Sequence, residues 1–456
     1  MSSCSHFLSI KEALPNTLSP FEKNLAELCL FSYIHYTPLG HNNLNKDKIS
    51  NINTINIHAI KKTITTKSND QKILFGENTH YHGLFYKSSP AKNYNSVENI
   101  VRKISTLTGK NIFFLERKDF FLFLSSISDS KEIKSILTQW IKNNLLVNIK
   151  PYDKVKDPDN SLSIVSEILW QYICSYVFLK KHLNHYSLNS FIITNPYNPV
   201  EKSLIALAQS NGIKLLFIPH GLPQASFREN IYDYIFPLTI MDNAWRKFSN
   251  AKKIYIPWHE SIYYDLPFPS PKKHFNILIF SQLEGAELHL MPELENELIR
   301  LVNTLLLIKK YKNHSPNLNI NIRFRNARER ELFKKKCHVM SCDHDESLFF
   351  SCADEQSVIN DLSDANCVIG FSSTALLYSQ LANIPAIQLT NKNIYNVWPY
   401  QLTSKDLIIF TDSETYTQNI EESLLNCISS NYSRKPLFFR EFNPSNIELS
   451  KGALSD

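Results

Sequence analysis

Residues 190–221, SFIITNPYNPVEKSLIALAQSNGIKLLFIPHG, decide the fold class. Phe191, Ile192 and Ile193 make a short apolar run that stops at turn formers, the mark of a buried strand. Pro199 suits a first helical turn, and Leu204, Ile205, Leu207 and Ala208 recur at helical spacing until Asn211-Gly212 supplies a stop. A second apolar run, Leu215 to Ile218, ends at His220-Gly221. Strand, helix and strand within roughly 30 residues form a βαβ unit, so the two strands belong to a parallel sheet.

Outward from this unit the alternation continues. KILFGEN (72–78), NIFFLER (111–117) and LLVNIKP (145–151) read as further strands. PWHESIYYDLPFPSPKKH (257–274), with its prolines and no long apolar run, reads as a linker. Beyond it strands are expected at 275–282, 318–326, 367–371 and 385–389, with helices at 291–311, near 354–365, at 373–382 and at 413–428. The expected fold class is α/β: two Rossmann-like domains facing a cleft, one over 1–265 and one over 270–430. Residues 431–456 form a tail that could cross back to the first domain. The first 70 residues are polar and asparagine-rich, with one helix capped by Ser19 and opened by Pro20.

Length and composition agree with two domains, since 456 residues is about three times the usual domain size of roughly 150. The net charge of +6 suits an anionic ligand but falls short of a nucleic-acid binder. The eight cysteines are scattered, as expected of reduced thiols in a cytosol. Cys337, His338, Cys342, His344 and Cys352 lack paired C-x-x-C spacing, so no metal is expected there. The amino terminus lacks a signal-peptide pattern, and no continuous apolar run reaches the roughly 18 residues of a membrane span. A cytoplasmic location is expected, with peripheral contact at the inner face of the membrane compatible with it.

Three stretches carry candidate chemistry. In ANCVIGFSSTALLYSQLANIPAIQL (365–389), Gly370 ends a strand, and Ser372, Ser373 and Thr374 crowd the start of a helix. Unpaired N–H groups, the positive end of the helix dipole and three hydroxyls would hold a phosphate there, although a serine N-cap would use the same residues. In LNINIRFRN, Arg323 and Arg325 share the polar face of a strand, and Arg325 lies at its carboxyl end, where guanidinium groups could pair with a diphosphate or carboxylate. His220 and Gly221 stand at another strand exit, with Asn195 and Asn198 at the neighbouring one. An imidazole there could accept a proton or hold a phosphate oxygen, and in SQLEGAELH (281–289) Glu284 or Glu287 could serve as a base beside Gly285. The sequence contains no P-loop, no G-x-G-x-x-G and no G-x-S-x-G.

The order of these parts resembles bacterial GT-B-type glycosyltransferases of capsule and lipopolysaccharide biosynthesis. FIPHG, a following YDY strand and DNAWRKF match the end of their first domain. NCVIGFSSTA and the strand NIPAIQL match a motif of their second domain. Similar serine pairs hold the cytidine nucleotide phosphate in sialyltransferases, Kdo transferases and CDP-glycerol phosphotransferases. The resemblance covers roughly residues 185–425. It implies a metal-independent enzyme without a cofactor, which moves a sugar from a nucleotide-sugar donor, a CMP-sugar favoured, to a glycan or glycolipid acceptor. Gly370, Ser372, Ser373, Thr374, Arg323 and Arg325 would bind the donor; Asn195, Asn198 and Gly221 would bind the acceptor; His220, Glu284 or Glu287 would be catalytic. RFRNARE stands where sialyltransferases carry a His-Pro pair, and only LEGAE distantly resembles their acidic catalytic motif, so the base stays open. A CDP-polyol phosphotransferase and a non-catalytic glycan-binding module are the competing readings.

Overall fold

The computed structural model describes residues 11–36, 80–87, 92–118, 120, 124, 130–144, 158–183, 188–218, 231–236, 251–253, 274–281, 294–311, 317–339, 348–353, 358–371, 375–376, 379, 384–390 and 407–428. They fall into two compact units, the first within Ser3–Pro257 and the second within Trp258–Phe439. The strands expected at 72–78 and 145–151, the linker at 257–273 and the tail at 431–456 lie outside the described residues.

The first unit has α1 (Pro20–Tyr36), β1 (Gly83–Lys87), α2 (Lys92–Thr108), β2 (Ile112–Glu116), α3 (Ser130–Asn144), α4 (Pro158–Leu183), β3 (Ser190–Ile193), α5 (Pro199–Asn211), β4 (Lys214–Phe217), β5 (Tyr234–Ile235) and β6 (Lys252–Lys253). Its described strands form one parallel sheet in the order β2-β1-β3-β4-β5-β6. The βαβ unit is present, with Ile192 opposite Leu216. Gly212 adopts φ 68° and donates its N–H to Ala208 O, the left-handed cap that stops α5.

Helix α1 changes the reading of the amino terminus. Ser19 and Glu22 bond reciprocally at its start: Ser19 N–H donates to Glu22 Oε2 at 3.0 Å, and Glu22 N–H donates to Ser19 Oγ at 3.4 Å. Asn24 through Ser32 are all buried, and the helix packs on α4 and α5. Helix α5 is therefore enclosed, with Val200 through Ala208 all buried, rather than having one wet face. Helix α4 departs from the sequence expectation too. Its segment Leu162–Leu183 is long and apolar enough to cross a membrane by length and composition, with mean hydropathy 1.4, although no continuous apolar run exists. Yet 67 % of it is buried inside the unit, where Leu169, Trp170, Tyr172 and Ile173 join the core.

The second unit has β7 (His274–Phe280), α6 (Leu294–Tyr311), β8 (Asn317–Phe324), α7 (Ala327–Val339), β9 (Leu348–Cys352), α8 (Val358–Asp364), β10 (Cys367–Gly370), β11 (Ala386–Thr390), β12 (Ile408–Phe410) and α9 (Tyr416–Ile428). The described strands are again all parallel, in the order β12-β11-β10-β7-β8-β9. Numbered from the start of this unit, that is 6-5-4-1-2-3, the Rossmann order. Strands buried on both faces explain why CVIG and AIQLT read as continuous apolar runs. Ile277, Ile279, Ile320, Ile322, Ile369 and Ile387 form the centre of its core.

Candidate functional site

In a doubly wound sheet a ligand crevice opens at the carboxyl ends of the strands, where the strand order reverses. The second sheet reverses between β7 and β10, which pair up to Ile279 opposite Ile369. Phe280-Ser281 and Gly370-Phe371 therefore leave the sheet side by side. The packing is tight at this point. A Cβ on Gly370 would lie 3.3 Å from Leu376 Cδ2 and 3.6 Å from Phe280 Cβ. Gly370 is not among the positive-φ glycines, so close approach, not a special backbone angle, is what the residue permits.

A helix follows this exit. Ala375, Leu376 and Ser379 are helical, and Ser379 Oγ donates to Leu376 O at 2.7 Å. Ser372, Ser373 and Thr374 fall between Phe371 and Ala375, outside the described residues. Glu284, Gly285, Glu287, His220 and Gly221 lie outside them as well.

Arg323 and Arg325 part company. On the polar face of β8, Arg323 and Asn321 are engaged by Asp361 of α8. Arg323 is 8 % exposed and its Nη1 forms an ion pair with Asp361 Oδ2. Asn321 Nδ2 donates to Asp361 Oδ1 at 3.3 Å, Ser351 Oγ donates to Oδ2 at 3.3 Å, and Asn319 Nδ2 donates to Asn276 Oδ1 at 3.0 Å. Burial pushes the Asp361 carboxyl up, while Arg323, Ser351 and Asn321 pull it back. Arg323 thus ties sheet to helix, whereas Arg325 is exposed at the strand exit. Sequence reasoning passed over Asp361, though an acid at the centre of VINDLSD was a visible partner for the β8 arginines.

The first-unit candidates have local tasks. Asn198 caps α5, its Oδ1 accepting from Val200 N–H at 3.0 Å and Glu201 N–H at 3.4 Å. Asn195 Oδ1 accepts from Tyr197 N–H at 3.1 Å, an Asx turn. Glu201, fully buried, accepts from Asn195 N–H at 2.9 Å, from Thr194 Oγ1 at 3.0 Å and from Thr194 N–H. Burial pushes its carboxyl up to about 7, against the pull of these hydrogen bonds.

The same device recurs in the second unit. Asn326 Oδ1 accepts from Glu329 N–H at 2.9 Å, and buried Glu329 accepts from Arg325 N–H at 3.0 Å. In both Asn-x-x-Glu segments, 198–201 and 326–329, the asparagine caps the helix while the glutamate three residues on reaches back to backbone N–H groups that precede the cap, a spacing the sequence held. The chemical result is that the helix starts of α5 and α7 each contain their own carboxylate. Residues 372–378, SSTALLY, supply none. Among the described residues no three His, Cys, Asp or Glu side chains converge as a metal site, and Cys352 is buried in the second core.

No family model matches the sequence, and no curated protein matches it. Solved structures do. The Methanocaldococcus jannaschii UDP-GlcNAc 2-epimerase in complex with UDP-GlcNAc and UDP is similar over 80 % of this chain and 96 % of its own, at 11 % identity and TM-score 0.43. The lipopolysaccharide outer core galactosyltransferase WaaB is similar over 82 % and 94 %, at 12 % identity and TM-score 0.42. Acinetobacter baumannii MurG is similar over 82 % and 94 %, at 13 % identity and TM-score 0.39.

Proposed function

We propose that the chain is a glycosyltransferase that takes a sugar from a nucleotide donor held by the second unit. The observation that carries this reading is the strand-order reversal between β7 and β10, with Gly370 at the exit and SSTALLY directly after it. Unlike the segments that open α5 and α7, each of which holds a carboxylate, the sequence that leads into Ala375 has three hydroxyls and no acid. Donor phosphate goes to Ser372, Ser373 and Thr374, with Arg325 at the neighbouring exit countering the charge of the departing nucleotide. Arg323 is left out of this set because Asp361 occupies it.

The acceptor, a surface glycan or glycolipid, belongs to the first unit, with Gly221 beside it. Asn195 serves there through its amide N–H groups, its oxygen being taken by the turn. His220, or else Glu284 or Glu287, takes the proton of the acceptor hydroxyl, a contribution typically of about 10²- to 10⁴-fold. Cytidine donors lead because of the serine motif, and reaction at the inner face of the cell membrane, without a metal, fits this chemistry. The test is nucleotide release from a panel of CMP-, CDP- and UDP-linked donors with and without oligosaccharide acceptor. Acceptor-dependent release supports the reading; release from none of them removes it.

A further inference from the structure

The turn after β3, Thr194 to Asn198, is braced from outside by α1. Lys202, fully buried in α5, pairs with Glu27 of α1, Nζ to Oε2 at 2.7 Å. Lys11 Nζ approaches the same carboxylate oxygen at 3.4 Å. The Tyr197 ring stacks on Phe31 of α1, with centroids 3.9 Å apart and planes 8° from parallel. On that ring also rests the Lys202 ammonium, 5.0 Å from its centroid. A second tie, Asn24 Nδ2 to Gln209 Oε1 at 2.8 Å, joins the same two helices.

A helix needs only apolar packing to stay in a core, and α1 has that in Leu25, Leu28, Cys29 and Leu30. A buried ion pair adds little stability over an apolar pair of the same shape, yet it fixes one geometry. Here the pair and the stacked rings all bear on one point, Tyr197, in the middle of the turn that also carries Asn195. We infer that Glu27 and Phe31 are positioning residues for the β3 turn, so that the amino-terminal helix sets the shape of the surface that receives the acceptor. The acceptor clause rests on the function proposed above; the bracing of the turn does not.

Hydrogen exchange on the full chain, read by mass spectrometry over 190–198, tests the brace. Glu27→Gln removes the carboxylate charge that faces Lys202, and Phe31→Leu removes the stack with less risk to folding. Exchange over 190–198 rises tenfold or more in both variants while segments of β1, β2 and the second unit hold their protection. In a nucleotide-release assay the KM for an oligosaccharide acceptor rises and that for the donor holds. Unchanged exchange over 190–198, or a rise shared by every segment of the first unit in both variants, overturns the inference. Absence of nucleotide release in the wild type would sink the proposed function and leave the exchange result to decide the brace alone.

Discussion

Arg323 on β8 and Asp361 on α8 form an ion pair sealed between a sheet and the helix that leads into β10. Asp361 gathers three donors from two strands, so it ties α8 to the polar face of β8. Asp361→Ala removes the carboxylate that faces the buried Arg323 guanidinium, and the expected cost is about 3–5 kcal/mol. Replacing both partners, Arg323→Met with Asp361→Leu, should recover most of that. Urea unfolding of the two singles and the double measures it, and additive single effects would contradict the pairing.

Asn198 was a candidate for acceptor contact, and its side chain caps α5. Asn198→Ala should cost about 1 kcal/mol, while Asn198→Asp, which keeps an oxygen acceptor, should be close to neutral. The same unfolding experiment separates the two, and equal losses would show that the cap bond is not what matters.

Glu201 gives the first unit a pH dependence of definite sign. Its carboxyl is raised from 4.5 to about 7, so between these values the folded protein keeps a proton that the unfolded chain has released. Its contribution is therefore fully present below about 4.5 and is lost as pH rises to about 7, with an order of magnitude of 3 kcal/mol. Glu201→Gln cannot titrate. Stability measured from pH 4.5 to 7 should fall more in the wild type than in this variant, and parallel curves would refute the assignment.

Gly370→Ala places a methyl 3.3 Å from Leu376 Cδ2, which must yield by a few tenths of an ångström. The expected cost is about 1 kcal/mol, and Gly370→Val, which crowds Phe280 as well, should reach about 2–3 kcal/mol. Nucleotide affinity should fall in the same order. Calorimetry on both variants checks this, and a valine variant with wild-type stability would show the exit to be roomier than the contacts imply.

The legible parts of the fold were those with one clear period or a hard stop. SFII, KLLF, CVIG and AIQLT are short apolar runs between turn formers, and all are strands. Helix α5 was legible through Pro199 and Gly212. Helices α2, α3 and α4 and strand β1 were missed, as was β9. In α4, apolar residues on every side leave no single stripe to detect, because the helix lies among α1, α3 and α5 instead of at a surface. Polar residues at strand exits were harder still. Asn198 and Arg325 stand at such exits equally in the sequence, yet one is consumed by a helix cap and the other is exposed. Whether a polar group faces a ligand depends on a partner distant in the chain, as with Asp361 and Arg323, 38 residues apart.

The most direct test of the account is calorimetric titration of CMP, CDP and UDP into the wild type and Ser373→Ala. The account predicts that the wild type binds at least one of them, and that the variant binds it tenfold or more weakly with an unchanged unfolding midpoint, the loss expected for a hydrogen bond to a charged phosphate. Equal affinity in the two proteins, or no binding by the wild type, would contradict it.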